Sequence, residues 1–243
     1  MIPATSIVVP AYNEGKSIIG CLNRLSDEVH TPFEVLVVYD SPSDTTADFV
    51  HAYAQSDARV RPLLNTYGKG PAFAIRFGVD NARSDVIVIT MADGSDDVRQ
   101  IDTLVSLVRE GATVAAASRY APGGRQHGGP RLKRVLSRSA GVSLDRLASI
   151  GTRDATNSFK AYSADFIKLV GIESTSGFEV GIELVAKAAR LGLPVVEIPT
   201  TWIDRSEGTS NFRMRWVPRY LRWYLFALGI GGSTLHIVDE VKS

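Results

Sequence analysis

The stretch DVIVITMADGSDD, residues 85–97, decides the fold. Its first half is a brief apolar run dense in β-branched residues, which predicts a strand covered on both faces. Its second half sets Asp93, Asp96 and Asp97 close together, with Gly94 suited to a tight turn. The same design recurs upstream. TSIVVP (5–10) predicts a buried strand and leads into AYNE, and FEVLVVYD (33–40) predicts another that ends on Asp40, with Asp44 nearby. Helical spacing fills 15–29, 41–55 and 69–81, and a shorter strand is predicted at 59–63. ATVAAAS (112–118) predicts a further strand, just before Arg119. This alternation predicts an α/β fold with a mostly parallel central sheet and helices on both faces. Downstream, 121–130 reads as a Gly/Pro loop, 131–141 as a basic segment, 177–190 as a helix, 193–202 as a strand and 213–230 as a last helical pattern.

In such sheets ligands bind beyond the carboxyl ends of the strands. Acids gathered there suit a divalent cation that shares substrate phosphates, and oxygen ligands select Mg²⁺ or Mn²⁺. Asp44, before Thr45 and Thr46, reads equally well as a helix cap. GKGPA (68–72) places glycines and Lys69 at a helix start, where backbone N–H groups can hold an anion. It has neither the P-loop order nor the dinucleotide fingerprint.

The 243 residues are 44% apolar, enough for one large domain or two small ones, and the net charge of +1 gives no global hint of a partner. Cys21 is the single cysteine, so no intramolecular disulfide can form. The N-terminus has no signal-peptide pattern, and no segment has the length of apolar residues that spans a bilayer, which leads us to expect a cytoplasmic domain.

The ordered set VVPAYNE (8–14), VVYDSPSDTT (37–46), GKGPA, MADGSDD (91–97), SRY (118–120) with Gly123–Gly124, DATNSFKAY (154–162), GFEVGIEL (177–184) and PTTWIDRSEGTSNF (199–212) resembles glycosyltransferase family 2, of GT-A (nucleotide-diphospho-sugar transferase) fold. Within that family it is similar to the dolichyl-phosphate mannose synthase-like, polyprenyl-phosphate glycosyltransferase branch. The resemblance implies an inverting, metal-dependent hexosyltransferase with a GDP- or UDP-sugar donor, Mg²⁺ or Mn²⁺, and a dolichyl or undecaprenyl phosphate acceptor. The alternative is a saccharide or other hydroxyl acceptor. By the resemblance, Pro10, Ala11, Tyr12, Glu14, Asp40, Lys69, Ala92 and Asp93 hold the nucleotide, and Asp93 with Asp96 holds the metal. Asp93, Arg119, Lys160 and Arg205 carry the chemistry. Met91 stands where the family has the first acid of its metal motif, and Asn211 stands in place of a common lysine.

A lipid phosphate is already anionic near neutral pH and needs positioning and charge more than a base. A hydroxyl acceptor needs a base, and Glu179, Glu183 and Asp154 are the sequence candidates. Residues 1–212 form the expected catalytic domain and 213–243 a basic, aromatic helical segment. Six basic residues, Arg119, Arg125, Arg131, Lys133, Arg134 and Arg138, precede the next acid, Asp145, and from Phe212 to Val238 there is no acid. Both patterns suit peripheral attachment to the cytoplasmic face of a membrane, or packing on the domain or on a second copy in a homo-oligomer. Nucleic-acid binding would leave the acids at the strand ends unexplained.

Overall fold

β1 (Thr5–Pro10) and β2 (Phe33–Tyr39) are buried at every position. Their side chains alternate between two cores. Ile7, Val9, Val35 and Val37 join one apolar cluster, and Val8, Leu36 and Val38 join the other. That is why these segments read as continuous apolar runs. The computed structural model describes residues 3–175, 177–204 and 217–230.

β3 (Val60–Leu64), β4 (Val86–Ile89), β5 (Val114–Ser118), β7 (Lys160–Ser163) and β8 (Val195–Pro199) complete a seven-stranded sheet in the order β3-β2-β1-β4-β7-β5-β8. β7 runs antiparallel to both β4 and β5, and the other pairs are parallel. β6 (Arg125–His127) and β9 (Thr201–Ile203) form a separate two-stranded sheet. The single strand predicted over 193–202 is therefore two. It breaks at Thr200, and β9 leaves the main sheet to pair with β6.

α1 (Ser17–Glu28), α2 (Thr46–Ala54) and α4 (Ile101–Arg109) cover one face through Ile18, Leu22, Val50 and Leu104. α3 (Pro71–Asp80), α6 (Ala164–Val170) and α7 (Val180–Arg190) cover the other through Ile75, Ile167 and Leu184. α3 lies so close to β1 that a Cβ on Gly78 would sit 2.5 Å from a methyl of Val8. α5 (Arg131–Ala148) touches this second core through Leu144. α8 (Val217–Ala227) buries Trp223 and Phe226 in it and packs along α7. Within the described part of 213–243, Trp223 and Phe226 are buried, and Tyr220 and Tyr224 are partly buried against the same core. Among the described residues no helix is long and apolar enough to cross a membrane.

Candidate active site

The carboxyl ends of β1, β2, β4 and β5 open into a cavity of about 1470 Å³. Pro10, Ala11, Tyr12, Glu14, Asp40, Lys69, Ala92, Asp93, Asp96 and Arg119 all line it. Two other predicted residues are not placed there. Lys160 does not line the cavity, and Arg205 lies outside the described residues.

On one wall, carboxylates tie neighbouring loops together. Both oxygens of Asp44 accept the Asn13 amide at 3.1 Å, and Oδ1 also accepts the Thr46 amide at 2.8 Å. Asp44 is therefore both a cap for α2 and a crosslink to the loop after β1, which holds Asn13 at φ 54°. The Glu14 amide donates to Thr46 Oγ1 at 3.0 Å. Asp40 accepts Asn65 Nδ2 at 2.8 Å and the Gly70 amide at 2.7 Å. It thereby fixes the GKGPA turn beside the cavity, where Gly70 sits at φ 118°.

The acid loop after β4 divides its carboxylates by task. Asp93 lines the cavity and accepts the Ser95 amide at 3.1 Å through Oδ1. Asp96 is buried, and its Oδ2 accepts Thr90 Oγ1 at 2.9 Å and the Met91 amide at 3.1 Å. Burial, and then the charge of Asp93, push the Asp96 pKa up to about 6. Asp97 faces away and pairs with Arg99 at 2.7 Å. Oxygen donors at the cavity wall fit a hard divalent cation, and such an ion takes one or two carboxylates and completes its shell with substrate phosphates. Among the described residues no group of three His, Cys, Asp or Glu side chains could hold a metal.

The opposite wall centres on Arg119. Its Nε and Nη2 grip Asp154 at 2.7 and 2.8 Å, and Nη2 also reaches Ser137 Oγ at 3.3 Å. Tyr120 and Trp202 present their rings to the guanidinium at 5.0 and 5.9 Å. Burial works against its charge, but the Asp154 carboxylate outweighs that and raises the pKa, so Arg119 is a permanent cation. Arg134, Trp202, Tyr220 and Tyr224 also line this side.

Lys160 requires correction as a residue that carries the chemistry. It is fully buried, and its Nζ donates to the carbonyls of Asp154, Ala155 and Asn157. It braces the loop that carries Asp154. Burial pushes its pKa down to about 7, so it is a poor permanent cation as well as a misplaced one. The three candidate bases fare similarly. Asp154 is committed to Arg119. Glu183 is committed to Lys187 Nζ at 2.7 Å and to the amides of Glu173 and Ser174. Glu179 is buried and does not line the cavity. Asp204, not among the residues predicted from sequence, does line it and accepts the Gly129 amide at 3.0 Å.

The Glycosyl transferase family 2 model matches residues 6–171, and the chain belongs to that family. Both the expected GT-A fold and the expected glycosyltransferase class hold. An undecaprenyl-phosphate mannosyltransferase of Micrococcus luteus is 31% identical over 84% of this chain and 85% of its own length. Solved structures of glucosyl-3-phosphoglycerate synthase from Mycobacterium tuberculosis share the fold. One, with Mn²⁺, UDP-glucose and phosphoglyceric acid, has a TM-score of 0.69 at 18% identity and covers 95% of this chain and 82% of that one. Another, with glycerol 3-phosphate in place of phosphoglyceric acid, has a TM-score of 0.68 at 19% identity with the same coverage. The cation and nucleotide sugar in them agree with the expected cofactors. The expected polyprenyl-phosphate branch and acceptor are corrected by the same structures, whose acceptors are small phosphorylated molecules.

Proposed function

We propose that this chain transfers a sugar from a UDP-sugar, with Mn²⁺ or Mg²⁺, to a hydroxyl of a small phosphorylated acceptor. The observation that carries this is the division of one cavity into an acid-bearing wall and an arginine-bearing wall. The solved structures with UDP-glucose and phosphoglyceric acid support it by fold and contents. The loops after β1 and β2 and the GKGPA turn hold the nucleotide. Asp93, aided by Asp96, and the donor diphosphate would hold the cation, whose chemistry is to neutralise charge on the departing UDP. Arg119, held in place by Asp154 through Nε and Nη2, binds the acceptor phosphate through Nη1. The acceptor hydroxyl forms a bond to the anomeric carbon as the bond to UDP breaks, and its proton passes to Asp204. Asp204 is assigned this task because it is a described carboxylate that lines the cavity and follows Trp202 by two residues. The test is UDP release from a panel of UDP-sugars, offered phosphoglycerate or glycerol 3-phosphate in Mn²⁺. Acceptor-dependent release with a glycosylated product supports the assignment, and release indifferent to either acceptor refutes it.

A second proposal concerns location. Leu132 and Val135 on α5 and Leu221 on α8 are 65%, 58% and 51% exposed. Arg131, Arg138 and Arg219 are exposed on the same helices. Such faces suit peripheral attachment to an anionic bilayer on its cytoplasmic side, whatever the acceptor. Sedimentation with anionic but not zwitterionic vesicles tests it.

A further inference from the structure

The acid loop is held from behind, by residues that never reach the cavity. Arg24, on α1, donates from Nη1 to the Gly94 carbonyl at 2.8 Å and from Nη2 to the Asp96 carbonyl at 3.0 Å. These two carbonyls flank Ser95, whose own carbonyl accepts the Ile203 amide of β9 at 3.2 Å. The loop is thus clamped between α1 and β9 across three successive residues. Arg24 also approaches Glu28 at 3.8 Å on the same helix, which is long for an ion pair and partly exposed. Its two short bonds go to the loop.

The clamp matters because of what the loop lacks. Met91 stands at the position nearest the strand where a second acid could have faced the ligand, and Asp96 Oδ2 is taken by Thr90 and Met91. Asp93 lines the cavity from a turn whose centre, Gly94, sits at φ 71°. Carboxylates on a short turn place an ion only as well as the turn's backbone is placed. Arg24 contributes that placement and adds a positive charge close behind three acids.

We infer that Arg24 is a positioning residue for the cation and donor diphosphate, acting through the carbonyls of Gly94 and Asp96. This rests on the donor-site reading above. The test is calorimetric titration of UDP into wild type, Arg24→Met and Arg24→Lys, once in Mn²⁺ and once in EDTA, with thermal midpoints recorded. Loss of an outer partner of a metal ligand weakens metal-dependent binding by roughly tenfold. Arg24→Met is therefore expected to weaken UDP binding by about that factor in Mn²⁺ and by less than about twofold in EDTA. Arg24→Lys, which keeps the charge but not the two-pronged reach, is expected to fall between. Equal weakening in both media, or none in Mn²⁺, overturns the inference. If Arg24→Met unfolds, Arg24→Lys decides it alone, and wild-type affinity in Mn²⁺ overturns it. Wild-type UDP binding that is indifferent to Mn²⁺ would overturn the donor-site reading itself.

Discussion

The two walls of the cavity are built differently. The nucleotide wall hangs on the ends of adjacent parallel strands, and Asp40 and Asp44 stitch its loops together by accepting backbone amides. The acceptor wall is assembled from pieces distant in sequence. Arg119 follows β5, Asp154 precedes β7, Trp202 lies in β9, and Tyr220 and Tyr224 come from α8. The first wall is preorganised by carboxylates that accept backbone amides, and the second by a buried ion pair. Asp154 and Lys160 are both fully buried, and Lys160, on β7, braces the loop that carries Asp154. The first wall should therefore tolerate loss of one crosslink, whereas the second should fail as a unit.

Substitutions can break that contrast, beginning with the chemistry. Asp93→Ala should cost roughly 10³-fold in kcat/KM, as expected for loss of a group that stabilises leaving-group charge. Excess Mn²⁺ should restore little, and steady-state kinetics across a metal series checks this. Asp204→Asn should lower kcat by about 10²-fold or more with little change in donor KM, if it takes the hydroxyl proton. A loss confined to donor KM would move Asp204 to the nucleotide wall. Lys160→Met should leave three buried carbonyls without their donor and cost about 3 kcal/mol of stability, visible in chemical denaturation. Asp44→Ala, on the stitched wall, should cost closer to 1–2 kcal/mol, roughly the value of a cap and its crosslink. Leu132→Asn and Leu221→Asn should shift stability by no more than about 0.5 kcal/mol, since both are exposed. They should still reduce vesicle binding if the α5 and α8 faces meet a bilayer.

How far the sequence could be read follows the same division. The runs at 5–10, 33–40 and 85–93 announced themselves because parallel central strands must be apolar on both faces. Their terminal acids then marked the nucleotide wall. β7 was missed because KAYS is four residues long and begins with a charged side chain. Nothing local says that Lys160 is buried, since its three partners are carbonyls that only the folded 154–157 loop brings together. Asp204 was passed over because its place depends on β9 leaving the main sheet for β6, a pairing across more than seventy residues. The sole detectable signal was Thr200-Thr201 after Pro199, a break inside an otherwise strand-like run. Arg24 gave no signal at all, as one basic residue on the polar side of a helix.

The central claim is that one cavity carries two separable binding walls, with UDP on the acid side and a phosphorylated hydroxyl acceptor on the arginine side. Calorimetry with wild type and Arg119→Met, titrating UDP in Mn²⁺ and then phosphoglycerate into the UDP-saturated protein, tests it most directly. UDP affinity is expected within about twofold of wild type and phosphoglycerate affinity lowered at least about tenfold, the loss expected for one charge-assisted contact. Parallel loss of both affinities, or no binding of phosphoglycerate to the wild type, would contradict it.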